Sequence, residues 1–208
     1  MKTILKKIGE IVSQIFLEQN GESRNRTQNI QTEHYQNEIQ NIFLDDIYIE
    51  ASYANIHSLL EGYKYRSEKD RGDKFAQILS GSALFKVLSE NKNKVCITPV
   101  PMHWSRYMIR SFDHILYLVK GVSQITGIPY SLLLQTSFTF RQSKLNKIKR
   151  IENRNNKFTL IKGKSLPDEI ILIDDVISTG STANACAKVL KEAGVKKVYG
   201  LFLASNQD

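Results

Sequence analysis

The run Ile170-Ile171-Leu172-Ile173-Asp174-Asp175-Val176-Ile177-Ser178-Thr179-Gly180-Ser181-Thr182 constrains this chain more than any other part of it. Four consecutive aliphatic residues with no polar alternation fit a strand buried on both faces, and therefore a mainly parallel sheet covered by helices. Two adjacent acids follow, and then a short hydroxyl-rich turn that enters a helical pattern. Carboxylates at the end of a buried strand are costly to desolvate unless something accepts their charge, and a polyhydroxylated ligand or a hydrated cation would do so.

The turn has a physical task of its own. Ser178, Thr179, Gly180, Ser181 and Thr182 can aim several backbone N–H groups and hydroxyls at one anion, with the positive end of the next helix dipole behind them. Gly180 lets the backbone approach a phosphate closely. Acids beside a monophosphate cradle describe a grip for ribose 5-phosphate. A plain capped helix, with Asp175 solvated and Ser181 or Thr182 as N-cap, would account for a bare Ser-Thr-Gly loop. The full arrangement, acids included, favours the grip.

Around this segment, strand-like and helix-like patterns alternate. The spacing predicts strands over 42–51, 95–100, 129–134, 170–173 and 197–203, and helices over 53–65, 73–89, 113–126 and 182–193. That order gives an α/β chain with a mainly parallel sheet flanked by helices, whose ligands sit beyond the carboxyl ends of the strands. With 208 residues and 41% hydrophobic content, one core is expected, formed by 42–208. Residues 1–41 divide into an amphipathic helix, with Ile4, Leu5, Ile8, Ile11, Val12, Ile15 and Phe16 on one stripe, and a polar Gln/Asn-rich linker. The stripe needs a cover, from the body of the protein or from a second copy in a homodimer, in preference to a membrane surface.

The net charge of +8 suits an anionic partner, a phosphorylated small molecule or a nucleic acid. Cys96 and Cys186 are the only cysteines, which removes a disulfide framework and a Cys-x-x-Cys knuckle and points to a reducing, cytoplasmic setting. No membrane span is expected: the uncharged stretch 121–140 is broken by Gly127 and Pro129. Glu10, Ser13 and Gln14 interrupt the apolar start, which argues against a secretory signal. His34, His57, His103 and His114 show no helical-spacing pair and no carboxylate partner, and receive no role.

The segment 170–182 as a whole resembles the 5-phosphoribosyl-1-pyrophosphate (PRPP) signature of type I phosphoribosyltransferases. More narrowly, the chain resembles the ComF/GntX family. Lys64-Tyr65 is similar to that family's Lys-Tyr pair, and Pro99-Val100-Pro101-Met102-His103-Trp104, with Arg106 and Arg110-Ser111-Phe112-Asp113-His114, to its Pro-Val-Pro loop and Arg-Gly-Phe-Asn-Gln element. Gln142, Leu145, Arg150, Asn153 and Phe158 follow its Gln, Leu, Arg, Asn, Phe spacing. The resemblance runs over about residues 46–205. It departs where Ser111, Asp113 and His114 stand in place of Gly, Asn and Gln, Asp113 adding a negative charge beside the expected pyrophosphate. The family's four-cysteine zinc module is missing, with residues 1–41 in its place.

What the resemblance implies is a type I phosphoribosyltransferase-like fold and Mg²⁺-dependent transfer of phosphoribosyl from PRPP to a nitrogen nucleophile, with release of pyrophosphate. Asp174 and Asp175 would hold the ribose hydroxyls, directly or through the water shell of the metal, and Ser178, Thr179, Gly180, Ser181 and Thr182 the 5-phosphate. Lys64, Arg106 and Arg110 would face the pyrophosphate, though solvated surface arginines are the common case. The basic stretch 136–157 reads as a lid with Gln142 and Arg150 at its contact points. The alternative is a non-catalytic protein that keeps the PRPP grip for nucleotide sensing or DNA uptake, since the resembled family is associated with competence. The altered Ser111, Asp113 and His114 favour it most, and the basic stretch and net charge add support, but no helix-turn-helix or RRM pattern is present. The acceptor nucleophile is not legible.

Overall fold

The computed structural model describes residues 42–66, 69–88, 94–102, 112–136 and 157–206. The expected amphipathic helix and linker of 1–41 lie outside the described residues.

Strand β1 (Asp46–Ser52) leads into helix α1 (Tyr53–Arg66), then α2 (Lys69–Ser80) and the short α3 (Ala83–Val87). Strand β2 (Val95–Pro99) and helix α4 (His114–Thr126) come next, followed by two three-residue strands, β3 (Leu134–Thr136) and β4 (Phe158–Leu160). Strand β5 (Glu169–Ile177), helix α5 (Ser181–Glu192) and strand β6 (Lys197–Ser205) complete the order. The main sheet runs β1-β6-β5-β2 with every pair parallel. The architecture is the helix-flanked, mainly parallel sheet expected from the sequence.

The uninterrupted apolar run of β5 explains its central place, because alternate residues serve opposite faces. Ile171 and Ile173 pack with Ile56, Leu60, Leu79 and Leu118, under α1, α2 and α4. Ile170 and Leu172 pack with Ala183, Cys186 and Leu190 under α5, and with Leu133, Leu134 of β3 and Phe158 of β4. Each face thus excludes water from a different set of helices, the arrangement that parallel sheets require.

Three expectations are corrected by this geometry. The acids do not follow the strand; β5 runs on through Asp174 and Asp175 to Ile177, because β6 still pairs with it there, Ile177 opposite Ser205. The single helix expected over 73–89 starts at Lys69 and stops at Ser80. A turn at Gly81 and Ser82 follows, with the Ser82 hydroxyl accepting from Leu84 N to open α3. The strand expected over 129–134 is only a bridge: Ile97 N donates to Pro129 O and Ser131 N to Ile97 O, each at 2.9 Å. Beyond it, β3 leaves the main sheet and pairs antiparallel with β4, a strand that the apolar pattern did not reveal in so short a run.

Among the described residues no helix is long and apolar enough to cross a membrane.

Candidate functional site

Helix α4, which follows β2, lies on the sheet face of Ile171 and Ile173, whereas α5, which follows the neighbouring β5, lies on the face of Ile170 and Leu172. The helices that follow these adjacent strands therefore lie on opposite faces, which makes the carboxyl ends of β2 and β5 a topological switch point. Switch points of this kind are where open parallel sheets bind ligands. Asp174, Asp175 and the turn 178–180 all belong to the β5 side of this one.

The turn is built for a close approach. Gly180 is the N-cap of α5 with φ 68°, a left-handed conformation, and no side chain caps the helix. Neither Ser181 nor Thr182 takes the N-cap place that a plain capped helix would give them. Ser178, Thr179, Ser181 and Thr182 are exposed while Gly180 is buried. The Thr179 and Ser181 hydroxyls lie 3.0 Å apart, and Ser181 N donates to Thr179 Oγ1 at 3.4 Å. Hydroxyls and helix-start N–H groups therefore cluster around one spot, the pattern that anions favour.

The two acids face opposite sides of the sheet, as strand alternation demands. Asp174 lies on the α5 side; burial pushes the Cys186 thiol up in pKa, and the negative charge of Asp174 adds to that rise. Its Oδ1 accepts from Asp175 N at 2.9 Å. Asp175 points the other way and is only 8% exposed, which excludes the solvated carboxylate of the plain capped-helix reading. Its Oδ2 receives Lys64 Nζ at 2.6 Å, from the last turn of α1, and His114 Nε2 at 2.9 Å, from the first residue of α4. Its Oδ1 accepts from Val176 N at 2.7 Å. Burial pushes the Asp175 pKa up, but the hydrogen bond from His114 and the charge of Lys64 outweigh that effect and hold the carboxyl well below the usual carboxylate range.

His114 is the functional-site residue that sequence reasoning missed. It was read as having no carboxylate partner, yet it bonds Asp175 across 61 residues of chain. The ring is 1% exposed, with Tyr63 and Phe112 edge-on at centroid distances of 5.9 and 6.2 Å. The buried Tyr63 hydroxyl donates to the His114 carbonyl at 2.6 Å. His57 also has an acid at helical spacing, Glu61 at 3.7 Å, but both are exposed. Asp113, read as an added charge beside pyrophosphate, caps α4 instead: its Oδ1 accepts from Leu116 N at 2.9 Å. Asn184 was not singled out either; its Oδ1 accepts from Phe43 N at 2.6 Å and ties the chain before β1 to α5.

Of the residues singled out from sequence, Lys64, Asp174, Asp175 and the 178–182 turn are brought to this end of the sheet. Arg106, Arg110, Gln142 and Arg150 lie outside the described residues. No group of three or more His, Cys, Asp or Glu side chains that could hold a metal occurs among the described residues.

Similarity to known proteins points the same way. The chain is 33% identical over 99 residues to the competence protein ComFC of Streptococcus pneumoniae, a match covering 48% of this chain and 43% of that protein. It is 33% identical over 111 residues to competence protein F of Haemophilus influenzae, covering 50% of this chain and 48% of that one. A hypoxanthine/guanine phosphoribosyltransferase of Methanobacterium lacus is 29% identical over 83 residues, 40% of this chain and 43% of the relative. No family model matches. The chain is thus similar in sequence to a phosphoribosyltransferase and to competence proteins of the ComF type, and it spans about half the length of these relatives.

Proposed function

We propose that this protein binds PRPP and transfers its phosphoribosyl group to a nitrogen nucleophile with release of pyrophosphate. The observation that carries the reading is the uncapped start of α5 beyond the carboxyl end of β5, with the exposed Ser178, Thr179, Ser181 and Thr182 around it and the acid pair a few residues before it. A 5-phosphate fits there because helix-start N–H groups and hydroxyls need no counter-cation to hold it. In this reading Asp174 and Asp175 serve the ribose, and negative charge beside C1 would stabilise the electron-poor sugar as the leaving group departs. Arg106 and Arg110 are the proposed cations for the pyrophosphate, with Lys64 joining them only by leaving Asp175 Oδ2, and Gln142 and Arg150 are the proposed lid contacts.

The reading includes Mg²⁺. This ion keeps several waters and is held by one or two carboxylates plus substrate phosphates, so a three-residue protein cage is not required and the partly exposed Asp174 suits it. When bound, the ion would neutralise charge on the departing pyrophosphate.

A second reading, PRPP binding without turnover in a DNA-uptake or nucleotide-sensing role, is favoured by the residues that depart from the resembled family's pattern, of which Asp113 is engaged in a helix cap and His114 with Asp175. Calorimetric titration of Mg²⁺-PRPP into wild type and Asp174→Asn tests both. Micromolar binding abolished by the substitution supports the site; no binding by wild type sinks it. Pyrophosphate release with ammonia or a panel of bases then separates the enzyme from the sensor.

A further inference from the structure

Helix α5 starts at Gly180 without a capping side chain, and helix starts of that kind fray readily unless something else holds the first turn. We propose that Asn184 is the positioning residue of this helix start and that segment 42–45 is the strap that holds it, so that release of the strap loosens the turn 178–182 and weakens its grip on a phosphate monoester. The phosphate half of this inference rests on the PRPP reading; the strap itself does not.

Asn is a poor residue for a helix interior, because its amide competes for backbone groups, and at position 184 that competition is put to use. Its N–H closes the first turn of α5 by donating to Gly180 O at 2.9 Å, while its side-chain Oδ1 accepts from Phe43 N at 2.6 Å. Opening the turn would take that acceptor away from a part-buried backbone N–H. The strap is itself firmly held. Leu44 is 3% exposed in the core on the α5 side of the sheet, and Ile42 and Phe43 pack against the same core. Asp45 N donates to Val198 O at 2.9 Å, and Asp45 Oδ2 accepts from Val198 N at 2.7 Å. The far end of α5 is tied to the strap as well: Lys191 Nζ, in the last turn, lies 3.0 Å from Asp45 Oδ1 and 2.7 Å from Oδ2. Between these ties Lys188 Nζ stands over the Phe43 ring, 5.9 Å from its centroid. Asn184, Lys188 and Lys191 fall at i, i+4 and i+7, so the strap follows one stripe of the helix, beside the stripe of Ala183, Cys186, Ala187 and Leu190 that faces the core. Chain that enters the body ahead of β1 is thereby fastened to the first turn of the helix that carries the proposed phosphate cradle.

The test uses the full chain and has a ligand-free arm and a ligand arm. In the first, amide hydrogen exchange is followed by mass spectrometry in wild type, Asn184→Ala, Asp45→Ala and Lys191→Met, each checked as folded by circular dichroism. Faster exchange of 178–184 in Asn184→Ala, and also in Asp45→Ala or Lys191→Met, whose changes lie at the other end of α5, supports the strap. Lys196→Met removes the exposed Lys196–Asp168 pair at the same end of the sheet and should leave 178–184 as in wild type. Unchanged exchange at 178–184 in Asn184→Ala, or in both Asp45→Ala and Lys191→Met, overturns the strap, as does an equal effect of Lys196→Met. If Asn184→Ala fails to fold, Asp45→Ala and Lys191→Met decide the matter. In the second arm, ribose 5-phosphate and Mg²⁺-PRPP are titrated into the folded variants. Asn184→Ala should weaken both about tenfold, the scale of one hydrogen bond, and Lys191→Met about threefold. The double variant should bind little worse than Asn184→Ala, because both changes act through one strap. Wild-type affinity in folded Asn184→Ala, or losses that simply multiply in the double variant, overturn the positioning role while leaving the PRPP reading intact. Failure of wild type to bind either ligand would instead overturn that reading and the phosphate half of the inference, with the exchange arm still deciding the strap.

Discussion

Lys64 Nζ lies 2.6 Å from Asp175 Oδ2, and the two side chains are only 16% and 11% exposed. This contact joins the last turn of α1 to the carboxyl-terminal part of β5. Because both charges have lost most of their water, removing one strands the other. Lys64→Met is expected to lower unfolding free energy by about 3–5 kcal/mol. Adding Asp175→Asn should then cost less than the two single losses summed, as chemical denaturation would show.

Acid should weaken the same contact. The folded pKa of Asp175 is depressed, so below the ordinary aspartate value of about 3.9 the unfolded chain binds a proton that the folded chain resists. The stabilisation is fully present above that pH and is lost as pH falls toward the folded value. Melting temperatures recorded from neutral pH downward should show wild type approaching Asp175→Asn only in the acid range. A constant gap would contradict the assignment.

Gly121 marks where α4 crosses α2. A Cβ placed there would come within 2.6 Å of the Ala76 Cβ, too close for two methyl carbons. Gly121→Ala is expected to destabilise by about 1–3 kcal/mol through overpacking. Ala76→Gly in the same chain should return part of that loss, a compensation visible as a partly restored melting temperature.

Gly180 holds φ at 68°, which an L side chain adopts at a cost of about 1–2 kcal/mol. Gly180→Ala should lose roughly that much stability. If the turn binds a phosphate, the same variant should bind Mg²⁺-PRPP more weakly than its stability loss alone accounts for. Calorimetry on the folded fraction checks this.

Several parts of the architecture were legible because they depend on short-range pattern. The aliphatic run 170–173 announced a strand buried on both faces, and β5 is central to the sheet. The periodicity of 113–126 gave α4 almost to the residue, but not that Asp113 caps it rather than begins it. The short β4 and the break at Gly81 were not legible: a three-residue strand carries too little alternation, and a helix that stops and restarts keeps nearly the same apolar spacing.

The sequence by itself determined the strand, the acid pair and the hydroxyl turn, since these are neighbours in the chain and their order dictates that they share one end of the sheet. Only the tertiary structure decided what each acid touches. Strand alternation turns Asp174 toward α5 and Asp175 toward α1 and α4, and the packing of those helices brings Lys64 and His114 onto one carboxylate. Residues so far apart in sequence leave no spacing to read; the cost of burying the Asp175 charge without partners is what requires them to meet.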